Sequence, residues 1–276
     1  MKTLFIIYLF LLISINGAKE KVNRIDAELI TDAKSIQPGK DFYVALKLAA
    51  PPDWHTYWRN PGDSGLPTSI KWDLPDGFKH GEIEWPAPHL FIVEGIANYG
   101  YEKEELLLVK ITPPEILKPN ENVVLKAEAN WLACRVECVP ESKSLSLKLP
   151  VKFETPETDK NISEAFNAAR KKMPLKNIPI SFKASLNENS VIITGESNLL
   201  NMKDLNNIRF FPNQSGYYNN SSKQILFKNK NYFTLQVFFD DFKIGIPENV
   251  NGVIYNENGW NKDQRKSIEI NVNLSE

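Results

Sequence analysis

From Val22 to Phe153 hydrophobic and polar positions alternate with a period of two. Phe42, Val44, Leu46 and Leu48 share one face, and so do Val123, Leu125, Ala127, Ala129 and Trp131. A strand sends successive side chains to opposite faces, so this alternation predicts strands with one buried face. Leu145, Leu147 and Leu149, interleaved with Ser144, Ser146 and Lys148, predict a last half-exposed strand. Between these runs lie Gln37-Pro38-Gly39-Lys40, Asn60-Pro61-Gly62-Asp63, Leu74-Pro75-Asp76-Gly77 and Thr112-Pro113-Pro114. Each supplies the restricted or positive φ of a turn, and all four are predicted as turns. The first domain is expected to end near Glu154.

The period then changes. Residues 155–160 form a polar linker, and Asn161 with Glu164 three positions later predicts a helix cap. Ile162, Ala165, Phe166 and Ala169 follow at helical spacing, and Pro174 and Pro179 stop the run. The expectation is one connecting helix within 155–180 that packs its Phe166 face on one domain or the other. Alternation returns in Val191 to Thr194, Tyr232 to Phe238 and Ser267 to Leu274, which predicts a second, smaller β-sandwich over 181–276.

The amino terminus reads differently again. Met1-Lys2-Thr3 leads into an apolar run from Leu4 to Ile13, then Gly17-Ala18 and the charged Lys19-Glu20-Lys21. This order predicts a secretory signal peptide over residues 1–18, and the apolar run is shorter than the roughly 20 residues that span a bilayer. Later apolar runs are shorter still, so no stable membrane insertion is expected after cleavage. With 33 basic and 34 acidic side chains and no dense cationic block, nucleic acid is not an expected partner. No Ser/His/Asp order, phosphate-binding glycine loop or paired-carboxylate motif is present, which argues against hydrolase and nucleotide chemistry, and no cofactor is expected.

Candidate chemistry centres on two cysteines, Cys134 and Cys138, in Trp131-Leu-Ala-Cys-Arg-Val-Glu-Cys-Val-Pro140. In an exported chain a disulfide between them is the default. A five-residue ring restrains the unfolded chain by only about 2 kcal/mol. Such a bond staples little, yet a structural role and a redox role both stay open. Arg135 favours a thiolate, whereas Glu137 and Glu141 oppose one. Only His55, His80 and His89 could join the pair around a metal; copper is the first candidate for soft sulfur ligands, and the spacing is a weak signal for it.

Two aromatic stretches accompany the pair. The first, residues 52–67, is either a long connection whose Trp54 and Trp58 pack on the sandwich or a loop that shields the disulfide. Within it Arg59 and Asp63 fit an internal ion pair or a recognition edge. The second, Asn98-Tyr99-Gly100-Tyr101-Glu102, precedes the strand Leu106 to Val109 and either anchors a sandwich corner or bonds the cysteine loop.

Taken together, Trp54-His55-Thr56-Tyr57-Trp58-Arg59-Asn60-Pro61-Gly62-Asp63-Ser64-Gly65, Tyr99-Gly100-Tyr101-Glu102 and Trp131-Leu132-x-Cys134-x-x-x-Cys138-x-Pro140-Glu141 form a specific set. On these motifs the chain resembles the amino-terminal periplasmic domain of DsbD-type thiol:disulfide interchange proteins, in the longer form also seen in ScsB-like copper-tolerance reductases. The resemblance is strongest from about Asp41 to Pro150 and extends loosely through Phe210-Phe211-Pro212 to Gly252-Val253. It implies an immunoglobulin-like domain within 19–154, and with the helix and second sandwich read from the periodicity the expectation is an all-β fold of two immunoglobulin-like β-sandwich domains joined by a short helix. It also implies that Cys134 and Cys138 are the catalytic pair, a protein-disulfide oxidoreductase acting in the periplasm in settings such as cytochrome c biogenesis or copper tolerance. Trp54, His55, Tyr57, Trp58, Arg59, Asp63, Tyr99 and Tyr101 are then candidates for a cap or a partner-recognition surface. The sequence ends at Glu276, where such proteins continue into a transmembrane bundle and a thioredoxin-like domain. The expected partners are therefore exported thiol proteins and a separate membrane or periplasmic electron donor. The alternative is a non-catalytic exported binding module, chaperone-like or copper-handling, with a structural disulfide.

Overall fold

The computed structural model describes residues 23–198, 203–260 and 263–275, so the expected signal peptide lies outside the described residues. Ten strands precede a single helix among them: β1 (Asp26–Ile30), β2 (Phe42–Ala49), β3 (His55–Gly62), β4 (Ser69–Asp73), β5 (Lys79–Glu84), β6 (His89–Val93), β7 (Ile96–Glu102), β8 (Glu104–Thr112), β9 (Asn122–Cys134) and β10 (Cys138–Pro150). They form two antiparallel sheets, one in the order β1-β2-β8-β5 and one in the order β10-β9-β3-β7-β6, with β4 also paired to β9. Val44, Leu46, Leu48, Leu107 and Val109 from the first sheet meet Trp58, Tyr99, Leu125, Ala129 and Trp131 from the second in one buried core. The period-two pattern of β2 and β9 arises because only one set of alternate residues enters this core.

The other face of β2 and β8 is not left to solvent. Ala45, Leu106 and Leu108 are covered by Phe166 and Ala169 of the helix α1 (Lys160–Lys172). The Phe166 face thus packs on the first sandwich, and Lys172 Nζ fixes it there by reaching both oxygens of the buried Glu105 carboxylate at 3.0 and 2.8 Å. The cap differs from the expected Asn161 and Glu164 pair. Asp159 caps the helix, its carboxylate accepting from the Asn161 and Ile162 amides at 3.0 and 3.2 Å. An acidic side chain one step outside the first turn meets both the orphan amides and the positive end of the helix dipole.

Two aromatic stretches differ from their sequence reading. Residues 52–67 are not a long connection: they contain β3, a strand inside the sheet between β9 and β7. Asn98 to Glu102 precede the strand that holds Leu106 to Val109, as expected, but are themselves part of a strand, β7. The physical reason is burial on both faces. His55, Thr56, Tyr57 and Trp58 are all buried, so no alternation marks the strand. Asn60-Pro61-Gly62, expected as a turn, is the end of β3; Pro61 is tolerated because the pairing with β7 shifts register between Tyr57 and Gly62.

The second sandwich comprises β11 (Ser181–Asn187), β12 (Ser190–Glu196), β13 (Ile208–Pro212), β14 (Ile225–Lys228), β15 (Tyr232–Phe238), β16 (Asn249–Asn256) and β17 (Ser267–Ser275). They follow one hydrogen-bonded path, β13-β16-β17-β11-β12-β15-β14, joined in the middle by a short parallel contact of β11 with β17. The path folds over itself, so that Val191, Ile193 and Leu235 share a core with Phe210, Ile254 and Ile268.

A seam ties the two sandwiches together. Phe210 enters the second core, whereas its neighbour Phe211, with Val253, enters the first. The Phe211 ring meets Tyr99 edge-on at 5.0 Å. Asn60 Nδ2 donates to the Pro212 carbonyl at 2.8 Å, and the Tyr99 hydroxyl donates to Asn220 at 2.9 Å. Among the described residues no helix is long and apolar enough to cross a membrane.

Candidate redox site

The last residue of β9 and the first of β10 are Cys134 and Cys138, directly opposed in the ladder and joined by a disulfide with a Cα–Cα separation of 4.1 Å. The hairpin ladder brings them together: every residue from Asn122 to Cys134 is paired in register with one from Pro150 to Cys138. The pair is asymmetric. Cys134 is 1% exposed, while Cys138 and the whole turn Arg135-Val136-Glu137 are exposed, Val136 by 78%.

Beyond Cys134 the row of opposed residues continues to His55 on β3 and Glu102 on β7. Two positions along β3, the Tyr57 hydroxyl lies 3.6 Å from Cys138 Sγ and 3.4 Å from His55 Nε2. A disulfide sulfur carries no proton, so in this state Tyr57 donates to it. The Phe91 ring on β6 packs against the His55 ring at 4.9 Å in a tilted arrangement, and the Tyr57 ring meets His55 edge-on at 5.2 Å. Burial holds His55 below the ordinary histidine range, with the nearby Glu102 charge opposing. Burial likewise raises Tyr57, so its hydroxyl keeps its proton at neutral pH.

The turn itself is bordered by cations on an aromatic ring. The guanidinium groups of Arg24 and Arg135 lie 5.5 and 5.8 Å from the Trp54 ring. Glu141, which the sequence suggested as a charge opposing the thiolate, is committed elsewhere. Its buried carboxylate accepts from the Arg24 and Ile25 amides at 2.7 and 3.1 Å and from Trp131 Nε1 at 3.0 Å.

Of the eight aromatic or charged candidates, the structure therefore gathers Trp54, His55 and Tyr57 around the pair. The contacts of the other five lie elsewhere. Trp58 is in the first core beside Phe211, and Arg59 stacks on Trp58, its guanidinium destabilised by burial with Glu269 and Tyr101 opposing. Asp63 accepts from the Ala97 amide and from Asn220, Tyr99 bonds Asn220, and Tyr101 donates to the Pro86 carbonyl. Arg59 and Asp63 form no ion pair with each other. Sequence reasoning missed Phe91 and Arg24. Phe91 carried a readable signal in the strand-like His89-Leu-Phe-Ile-Val93, whereas Arg24 is brought in from far along the chain. No group of three or more His, Cys, Asp or Glu side chains among the described residues is placed to hold a metal ion.

Residues 26–150 match the family described as thiol:disulfide interchange protein DsbD, N-terminal. Among solved structures, the N-terminal periplasmic domain of ScsB from Proteus mirabilis aligns with a TM-score of 0.66 at 20% identity, covering 92% of this chain and 95% of that one. The shared fold therefore includes both sandwiches. The YadV chaperone aligns at 11% identity over 90% of this chain and 100% of its own, with a TM-score of 0.23. Spo0M of Bacillus subtilis aligns at 7% identity over 91% and 90%, with a TM-score of 0.25. Both scores are too low to bear on the fold. No curated protein sequence matches the chain.

Proposed function

From a DsbD-type amino-terminal domain over residues 26–150, we propose that this chain is a periplasmic thiol:disulfide interchange protein that relays electrons through Cys134 and Cys138. One observation carries the reading: an exposed Cys138 is bonded to a buried Cys134 at the turn end of a hairpin. An incoming thiolate can reach only one sulfur without opening the sheet.

The exchange runs in two steps. A partner's thiolate attacks Cys138 Sγ, the Cys134–Cys138 bond breaks, and Cys134 leaves as a thiolate that takes up a proton. The partner's second thiolate then attacks its own sulfur in the mixed disulfide, releasing Cys138 and leaving the partner oxidised by two electrons. In the opposite direction Cys138 attacks a client disulfide, and Cys134 resolves the mixed disulfide from inside the protein. Tyr57 donates a hydrogen bond to Cys138 Sγ and so favours its thiolate in both directions. The arginines beside Trp54 add positive charge at the rim.

The oxidised chain is expected to be reduced by a thioredoxin-like dithiol protein within minutes, both cysteines then taking up an alkylating label counted by mass spectrometry. A pair that remains oxidised while the donor stays reduced contradicts the proposal and favours a binding module with a structural disulfide.

A further inference from the structure

We infer that Asn220, in the second sandwich, is a positioning residue for the redox site, acting through Asp63 and Tyr57 on Cys138. The inference rests on the proposed thiol chemistry and gives the second sandwich a part in it.

Tyr57 is fully buried although it lies on the face of β3 turned away from the core that Trp58 enters. Its cover includes the loop after β3 at Gly65. The backbone of Gly65, at φ +99°, rests against the Tyr57 ring so closely that a Cβ there would collide with the ring atoms Cδ1, Cε1 and Cζ. That cover is fastened at Asp63 and Ser64. Asp63 Oδ2 accepts from the Ala97 amide at 3.1 Å, its own amide donates to the Ala97 carbonyl at 2.8 Å, and Ser64 Oγ donates to Asn98 Oδ1 at 2.7 Å.

These bonds leave one carboxylate oxygen, Asp63 Oδ1, and it accepts from Asn220 Nδ2 at 2.7 Å. Asn220 is buried and its own oxygen accepts from Tyr99 at 2.9 Å, so its amide is held at both ends. Across from the cover, towards Phe242 and Tyr218, lies an open cleft of about 520 Å³. The bonds to Ala97 and Asn98 hold the loop to β7, and the tie to Asn220 holds it on the cleft side, where there is space to shift once that tie is cut. A hydroxyl that drifts from Cys138 no longer favours the thiolate, and the thiol ionises only at higher pH.

The test uses the full chain with Cys134→Ser, which leaves Cys138 as the one thiol, and follows its alkylation by iodoacetamide against pH. Tyr57→Phe is expected to slow the reaction at pH 7 about fivefold by moving the midpoint to higher pH, the size of an ordinary lost hydrogen bond. Asn220→Ala should slow it about threefold with the same alkaline movement, and the two together should do no more than Tyr57→Phe alone. Val253→Ala, which weakens the seam without touching the cover, should leave the midpoint in place. Should Asn220→Ala fail to fold, Gly65→Ala, which lifts the cover directly, must give the alkaline movement. An unmoved midpoint in Asn220→Ala, or an effect that adds in full to that of Tyr57→Phe, overturns the inference and leaves the exchange reaction standing. If Tyr57→Phe itself moves nothing, the inference falls together with the role given to Tyr57, and reduction by a dithiol protein still decides the exchange reaction separately.

Discussion

Glu141→Ala is expected to destabilise the protein by about 3–5 kcal/mol, measured as the change in urea unfolding free energy, the cost of breaking a buried charged hydrogen-bond network. The Glu141 side chain is 0% exposed, and its carboxylate satisfies two amides and an indole N–H. Its truncation leaves those donors facing an apolar space, each at a cost of about 1–3 kcal/mol where water does not enter. The Arg24 guanidinium, 3.7 Å away and partly exposed, adds little by comparison. Glu141→Gln keeps one carbonyl acceptor and should lose distinctly less. The effect also reaches the redox site. Glu141 lies directly opposite Trp131 in the ladder that ends at the disulfide, and it ties the entry of β1 to that hairpin. Glu141→Ala should therefore speed hydrogen exchange at the cysteine end of β9 more than elsewhere in the sheet.

The second large effect separates the two cysteines. Cys134→Ser leaves an exposed Cys138 whose thiolate should attack the disulfide of an oxidised client, displace one client thiolate and hold the mixed disulfide, because no inner thiol resolves it. Cys138→Ser leaves only the buried Cys134. If the hairpin end must open at a cost of about 3 kcal/mol before that thiol reacts, exchange falls roughly a hundredfold. Non-reducing electrophoresis after acid quenching reads both outcomes. Equal trapping by the two variants would contradict the assignment of Cys138 as the sulfur that partners reach.

Much of the fold was legible because one-sided burial writes itself into sequence. Val44, Leu46 and Leu48 mark β2, Leu125 to Trp131 mark β9, and Phe166 with Ala169 mark the helix face. The helix cap lies two residues before the expected one because Asp159 and Asn161 are both competent caps, and Asp159 is the one whose carboxylate meets the first amides. The core strand β3 was hidden because both of its faces are covered. Read as a strand, its parity would have set His55 and Tyr57 on the cysteine face and Trp58 on the core face. The cysteine pair itself was evident, but its asymmetry was not, since burial of Cys134 depends on β3 lying beside β9. The tie between Asp63 and Asn220 joins residues 157 positions apart, and no local pattern announces a pairing of that range.

The reduction potential of the Cys134–Cys138 couple, measured by equilibration of the full chain with dithiol buffers of known ratio, bears most directly on the central claim. An exchangeable pair is expected above about −300 mV, in the range where periplasmic and thioredoxin-like partners can both donate and accept. A potential below that value would mark a bond that physiological thiols do not open, and would make the pair a structural disulfide.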